Sequence, residues 1–303
     1  MQYVMDFTAQ SVPSISSSSV LVELSMSVWT GKKLDKRASE EVTTANNAAK
    51  GVARVNKSLL GDCAELDALQ KFASNVRNMH YNSTLPWSDM GPRLLPTTRF
   101  FSYQQTFTAL EAEFNRMVDA FMQAYDWEIT RSQAKLGDLF DIREYPNKDD
   151  LRSKFSFKVN YLPVPDAGDW RLDIANEAQT QLKEQYATHY KGQLEGAMKD
   201  IWQRLFDTLT VLSRQLSDTT TNAKGEEVTP KIYQSVFDRA LEVVDLMDTC
   251  NLTGDPTMQL MQRKLAMTFR GVTVDSVKED SHLRRETKRA IDEAIKNLPS
   301  LGF

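Results

Sequence analysis

The segment Gly51-Val52-Ala53-Arg54-Val55-Asn56-Lys57-Ser58 nearly spells a phosphate-binding loop. Such a loop wraps a phosphate in backbone amides and needs glycine immediately before its lysine. Asn56 stands there instead, and Thr43 to Lys50 ahead of it lack the apolar run of a buried strand. Leu241-Glu242-Val243-Val244-Asp245 imitates the strand that would support a nucleotide's metal ion, but it lies in a helical pattern. Both read as chance resemblances. Asp138, Asp141 and Glu144 are spaced by three, so on a helix they would share a face and could hold a divalent cation. The competing reading is a solvated acidic turn. His80, His189 and His282 are isolated, and neither HExxH, CxxC nor GxSxG occurs. The residues therefore predict a non-enzyme, with no metal site and no cofactor.

Residues 80–103 carry a different chemistry. Three prolines and a glycine forbid one regular helix there, and aromatic side chains are dense. Trp87, Phe100, Phe101 and Tyr103 could stack unpaired bases while Arg93 and Arg99 hold phosphates. Alternatively, Phe100 and Phe101 plug the core at a helix entrance. Two basic stretches accompany this segment. Lys32, Lys33, Lys36, Arg37, Lys50, Arg54 and Lys57 oppose Asp35, Glu40 and Glu41 near the start. Near the end, Arg284, Arg285, Lys288 and Arg289 fall four apart in pairs and would form a cationic ridge on a helix. A solvated helix face is the plainer account of that ridge.

These residues sit in a chain of 303 residues with net charge −4, a poor balance for charge-driven, histone-like DNA binding. At 41% hydrophobic and 26% charged, the chain can bury a core. Cys63 and Cys250 lie among helical apolar neighbours and read as reduced, buried thiols. No apolar run approaches the roughly 18 residues of a membrane span, so no membrane partner is expected. The first ten residues lack Lys, Arg and a long apolar block, which predicts no secretory signal and a cytoplasmic location.

The positioning elements follow from periodicity. Residues 1–18 end in serines and read as a flexible lead-in. Val20, Val22, Leu24, Met26 and Val28 alternate with neighbours of the other face, predicting a strand ended by Trp29-Thr30-Gly31. Phe155, Phe157, Val159 and Tyr161 predict a second, in the same small sheet. Residues 32–60 are expected to contain a helix of broken pattern. Asp62 is a cap candidate for a helix carrying Leu66, Leu69, Ala73 and Val76. Phe107, Leu110, Phe114, Met117, Phe121 and Ala124 predict another, ending near Trp127 to Ile129.

After a turn at Pro163 to Gly168, the longest helix runs from about Asp173 to Ser217. Its inner face is marked by Leu182, Tyr186, Leu194, Met198, Ile201, Leu205, Leu209, Leu212 and Leu216. A helix of about 65 Å must pack on several partners, protrude or self-associate. Residues 218–229 read as a polar loop, followed by helices near 230–249, 256–270 and 277–298. The expected architecture is mainly α: a long-helix bundle with a small antiparallel β element. It divides into a lead-in (1–18), an α+β module (19–170) and a helical module (171–303).

Several pieces together resemble a family of uncharacterised bacterial and phage proteins. Its members are often encoded beside a MoxR-type AAA+ ATPase and a von Willebrand A-type protein. The pieces are Leu24 to Leu34 with Trp29-Thr30-Gly31, the Phe155 to Leu162 strand leading to Pro165, Asn251-Leu252-Thr253-Gly254-Asp255-Pro256, and Leu283-Arg284-Arg285. Their order spans most of the chain, and each is short. The resemblance implies a helical accessory protein, an adaptor or client of the ATPase, and carries over no catalytic residues. The expected function is thus a self-associating, non-catalytic protein acting through macromolecular partners. The alternative is a single-stranded nucleic-acid binder in phage replication, recombination or transcription.

Overall fold

The computed structural model describes residues 15–88, 91–164, 176–221 and 225–299. The protein is mainly α-helical with a small antiparallel β component, as its periodicities predict. Of the expected lead-in, residues 1–14 lie outside the described residues, and Ile15–Ser18 form one helical turn, α1. β1 (Ser19–Ser27) follows, then β2 (Lys32–Asp35), α2 (Lys36–Ala45) and β3 (Val55–Ser58). Next come α3 (Ala64–Ser83), β4 (Arg93–Pro96), α4 (Phe100–Leu136), α5 (Lys148–Arg152) and β5 (Ser156–Pro163). The long helix α6 (Asn176–Gln215) precedes a two-stranded ribbon, β6 (Thr220–Thr221) with β7 (Glu227–Val228). The chain closes with α7 (Gln234–Thr249), α8 (Pro256–Phe269), α9 (Val274–Glu279) and α10 (Ser281–Lys296). Among the described residues, no helix is long and apolar enough to cross a membrane.

The two expected strands are neighbours in one sheet of order β4-β1-β5. The third strand comes from the proline- and aromatic-rich segment, with Leu94 opposite Leu21 and Leu95 opposite Val20. Residues 32–60 contain the expected helix, but the basic residues flanking it pair as strands β2 and β3, Lys33 facing Lys57.

The described chain forms two compact units, each assembled from separated stretches. One comprises the described residues within 1–22, 83–101 and 161–303. There α6 packs on α7 and α10, α7 on α8, and α10 on α8 and α9. Leu194, Met198, Ile201, Leu205, Leu209, Leu212 and Leu216 are buried, as their spacing requires. The side chains of Leu182 and Tyr186 lie outside the described ones. The expected last helix is two. Thr273 and Ser276 cap α9 reciprocally, and the Asp280 carboxylate accepts from the His282 and Leu283 amides to start α10. The 218–229 loop differs from expectation by pairing as the β6–β7 ribbon.

The other unit comprises residues 23–82 and 102–160. In α3, Leu66, Leu69, Ala73 and Val76 are buried as expected, joined by His80. Asp62 does not cap α3: its carboxylate meets Lys135 and Arg131 of α4, and the Cys63 carbonyl takes the first helical amide, from Asp67. Within this unit α4 carries its buried stripe through Phe107, Phe114, Val118, Phe121, Tyr125, Glu128 and Ser132. It runs beyond the expected end at Trp127, because the stripe continues for two more turns. Tyr125 donates its hydroxyl to the Pro146 carbonyl, at 2.9 Å.

Candidate functional site

The aromatic segment does not assemble one stacking platform. Trp87 is half-buried and meets Tyr190 of α6 edge-on, ring centroids 5.3 Å apart. Arg93 donates to the Thr84 hydroxyl at 2.7 Å and to the Thr84 carbonyl at 3.1 Å, which also accepts from Arg204 of α6 at 3.0 Å. Arg99 pairs with Asp245 of α7 at 2.9 Å. Asp245 is the acid of the nucleotide-site look-alike, and its place on a helix with an arginine partner removes that reading. Phe100 lies edge-on to Phe101 and Tyr161. Tyr103 is buried, its hydroxyl 2.7 Å from His80 Nδ1. Of the four aromatic candidates, Phe101 alone is exposed, at 79%. The core-plug alternative, made for Phe100 and Phe101, describes Phe100 in part and not the exposed Phe101; Tyr103 is the buried ring, and both arginines are held by protein groups.

The ridge on α10 is divided. Arg284 pairs with Asp218 at 2.8 Å and Lys288 with Asp292 at 2.6 Å. Arg285 and Arg289 are exposed and make no ion pair among the described residues. In the same unit α8 is apolar on two sides. Met258, Met261, Leu265 and Phe269 are buried, while Leu260 and Met267 are 64% and 77% exposed.

In the other unit, Lys57 is the hub of a charged network. Its ammonium donates to the Leu139 carbonyl at 2.7 Å and forms ion pairs with Glu144 Oε2 at 2.7 Å and Asp35 Oδ2 at 3.6 Å. The Glu144 bond, followed by further carboxylate attraction, holds the Lys57 ammonium above its ordinary range. Lys33 sits 3.9 Å from Glu144, and Lys32 is exposed. Lys57 is therefore a structural counterion on a strand, and the phosphate-loop look-alike is a chance match. Asp138, Asp141 and Glu144 do not converge either. Asp141 is clamped by Arg143 at 2.8 Å, and Glu144 turns to Lys57.

Beside α2 lies an open groove of about 480 Å³, lined by Leu34, Lys36, Glu40, Lys50, Gly51 and Arg54 among others. Lys50 pairs with Glu40 at 3.6 Å, whereas Lys36 and Arg54 have no partner among the described residues. Gly51 lines it at φ +88°, a left-handed conformation that glycine adopts without strain. The charges of this stretch are visible in the sequence; its concavity arises only from the pairing of β2 with β3 beside α2.

Both cysteines are free and buried, as expected. Burial pushes each thiol up to about 11. The sequence gives no sign that Cys63 meets two carboxylates, Glu65 and Glu128, with one donor atom of each within 4.8 Å of the others. One local signal exists: Glu128 falls on the apolar stripe of α4, where a carboxylate is expensive to bury. No protein-family model, curated protein or solved structure matches this chain.

Proposed function

We propose that this protein is a non-catalytic bacterial or phage accessory protein that self-associates and works through protein partners. The two-sided apolar character of α8 carries this reading. Leu260 and Met267 stand seven residues apart, two turns along one face, while the opposite face is already buried in the helical core. Covering one such side chain stabilises an assembly by about 1.5–3 kcal/mol, which favours a partner surface over water. Lys264 on the same face supplies a charged rim. An AAA+ ATPase is the partner class implied by the family resemblance, and the cytoplasm of a bacterium or infected host is the matching compartment. Light scattering across a concentration series tests self-association. The reading expects an oligomer that Leu260→Asp with Met267→Asp dissociates without loss of helicity. A strict monomer that retains no ATPase from its native cells overturns it.

A second reading, single-stranded nucleic-acid binding, is favoured by the cationic groove rather than by the aromatic segment. Lys36, Lys50 and Arg54 converge there, two of them uncommitted. Three phosphate contacts would give a log–log salt slope of about −2, at roughly −0.7 per contact on a single strand. Anisotropy of a labelled oligonucleotide measures that slope, and Lys36→Ala with Arg54→Ala should reduce it to about −0.7. Absence of binding at low salt removes this reading.

A further inference from the structure

The Cys63, Glu65 and Glu128 cluster is built from two helices packed within one unit. Cys63 immediately precedes α3, and Glu65 is the second residue of that helix. The Cys63 thiol points at Glu65 Oε2, 3.6 Å away. Glu128 approaches from α4 and is 97% buried, since its exposure is 3%. Its Oε2 accepts no hydrogen bond. Arg131 Nη2 forms an ion pair with that oxygen at 3.1 Å and donates to the Asp62 carbonyl at 2.7 Å. The guanidinium also lies over the Trp127 ring, 5.2 Å from its centroid. A carboxylate this deeply buried, held by one ion pair without an aligned hydrogen bond and with a thiol and a second carboxylate within 4.8 Å, is incompletely satisfied by the protein alone.

We propose that Cys63, Glu65 and Glu128 bind one divalent cation of the zinc type, fastening the start of α3 to α4. The donor set selects the ion. Sulfur with two oxygens suits a borderline cation, whereas calcium and magnesium take oxygen ligands. Charge also closes: a divalent ion together with the Arg131 guanidinium balances one thiolate and two carboxylates. On binding, the S–H bond breaks, its proton leaves to solvent, and a sulfur–metal bond forms. Glu65 is half-buried, which leaves a side open for entry and for a water as fourth ligand.

Full-length protein, stripped with a chelator, is loaded with Zn²⁺, freed of excess by gel filtration and assayed for retained metal. Loading with Co²⁺ reports sulfur ligation through a thiolate-to-metal charge-transfer band. One equivalent per chain and a clear band are expected. Cys63→Ser should abolish both and Cys250→Ser should leave both intact. Glu65→Gln, at a half-exposed position that preserves the fold, should weaken binding at least tenfold, with circular dichroism checking every variant. Wild-type protein that retains no zinc overturns the proposal, as does a Cys63→Ser protein that retains as much as wild type.

Discussion

Replacing Gly31 with alanine should destabilise the unit that contains it, through two separable effects. Gly31 closes the Trp29-Thr30-Gly31 turn at φ +64°, and its carbonyl accepts the Leu59 amide at 2.7 Å. Gln70 holds the turn from α3, donating to the Trp29 and Thr30 carbonyls at 3.3 and 3.2 Å. A Cβ at position 31 would stand 2.8 Å from Leu66 Cδ2, a buried side chain, and 3.8 Å from the Trp29 ring. The left-handed backbone costs an L-residue about 1–2 kcal/mol. Displacing a packed leucine costs about 1–3 kcal/mol more. The sum is about 2–5 kcal/mol. Gly51→Ala is the control: φ is +88°, but nothing lies within 4 Å of the added carbon, so the backbone cost stands alone. Urea unfolding followed by tryptophan fluorescence should place Gly31→Ala below Gly51→Ala by the packing share. Leu66→Ala should be less damaging in the Gly31→Ala background than in wild type, because the cavity accepts the new methyl. Equal losses for the two glycine variants, or additive losses for the Leu66 pair, would refute the packing argument.

Other outcomes follow from the same geometry. At dilutions where the protein is monomeric, Met267→Ser should change stability by under about 0.5 kcal/mol, whereas Met261→Ala on the buried face should cost about 2–5 kcal/mol; comparable losses in thermal melts of the monomer would contradict the two-sided α8. The Asp141 carboxyl is lowered to about 2, first by the Arg143 side chain and then by the Arg143 amide. Its contribution is therefore present above the ordinary 3.8 and lost as pH falls through about 2, and Arg143→Ala should return the NMR titration midpoint toward 3.8. Cys63 and Cys250, raised to about 11 by burial, should react slowly with a thiol reagent at neutral pH in metal-free native protein and rapidly in denaturant. Asp255 caps α8 by accepting the Thr257 amide ahead of Pro256, so Asp255→Ala should cost about 0.5–2 kcal/mol by chemical denaturation.

Much of the element inventory was legible because local pattern decides it. β1 alternates from Val22 to Ser27, α6 repeats leucine at helical spacing, and Asp255-Pro256 announces a helix start. Where strands β2 and β3 and the Asp62 cap part from expectation, a non-local partner intervened; where the last helix splits in two, local caps did. The lysines around α2 became strands by pairing with each other, and Asp62 gave its carboxylate to α4 instead of the α3 amides. Arg93, Arg99 and Arg284 looked free to hold phosphate until Thr84, Asp245 and Asp218 claimed them.

The sequence by itself determined where the long helices and the strands β1 and β5 lie and which face of each is apolar, since those depend on residues within a few positions of one another. Tertiary structure decided which charges stay uncommitted, which methionine faces solvent, and that Cys63 meets a glutamate sixty-five residues away. Hydrogen bonding and burial are properties of a side chain's surroundings, and in this chain those surroundings are assembled from separated stretches.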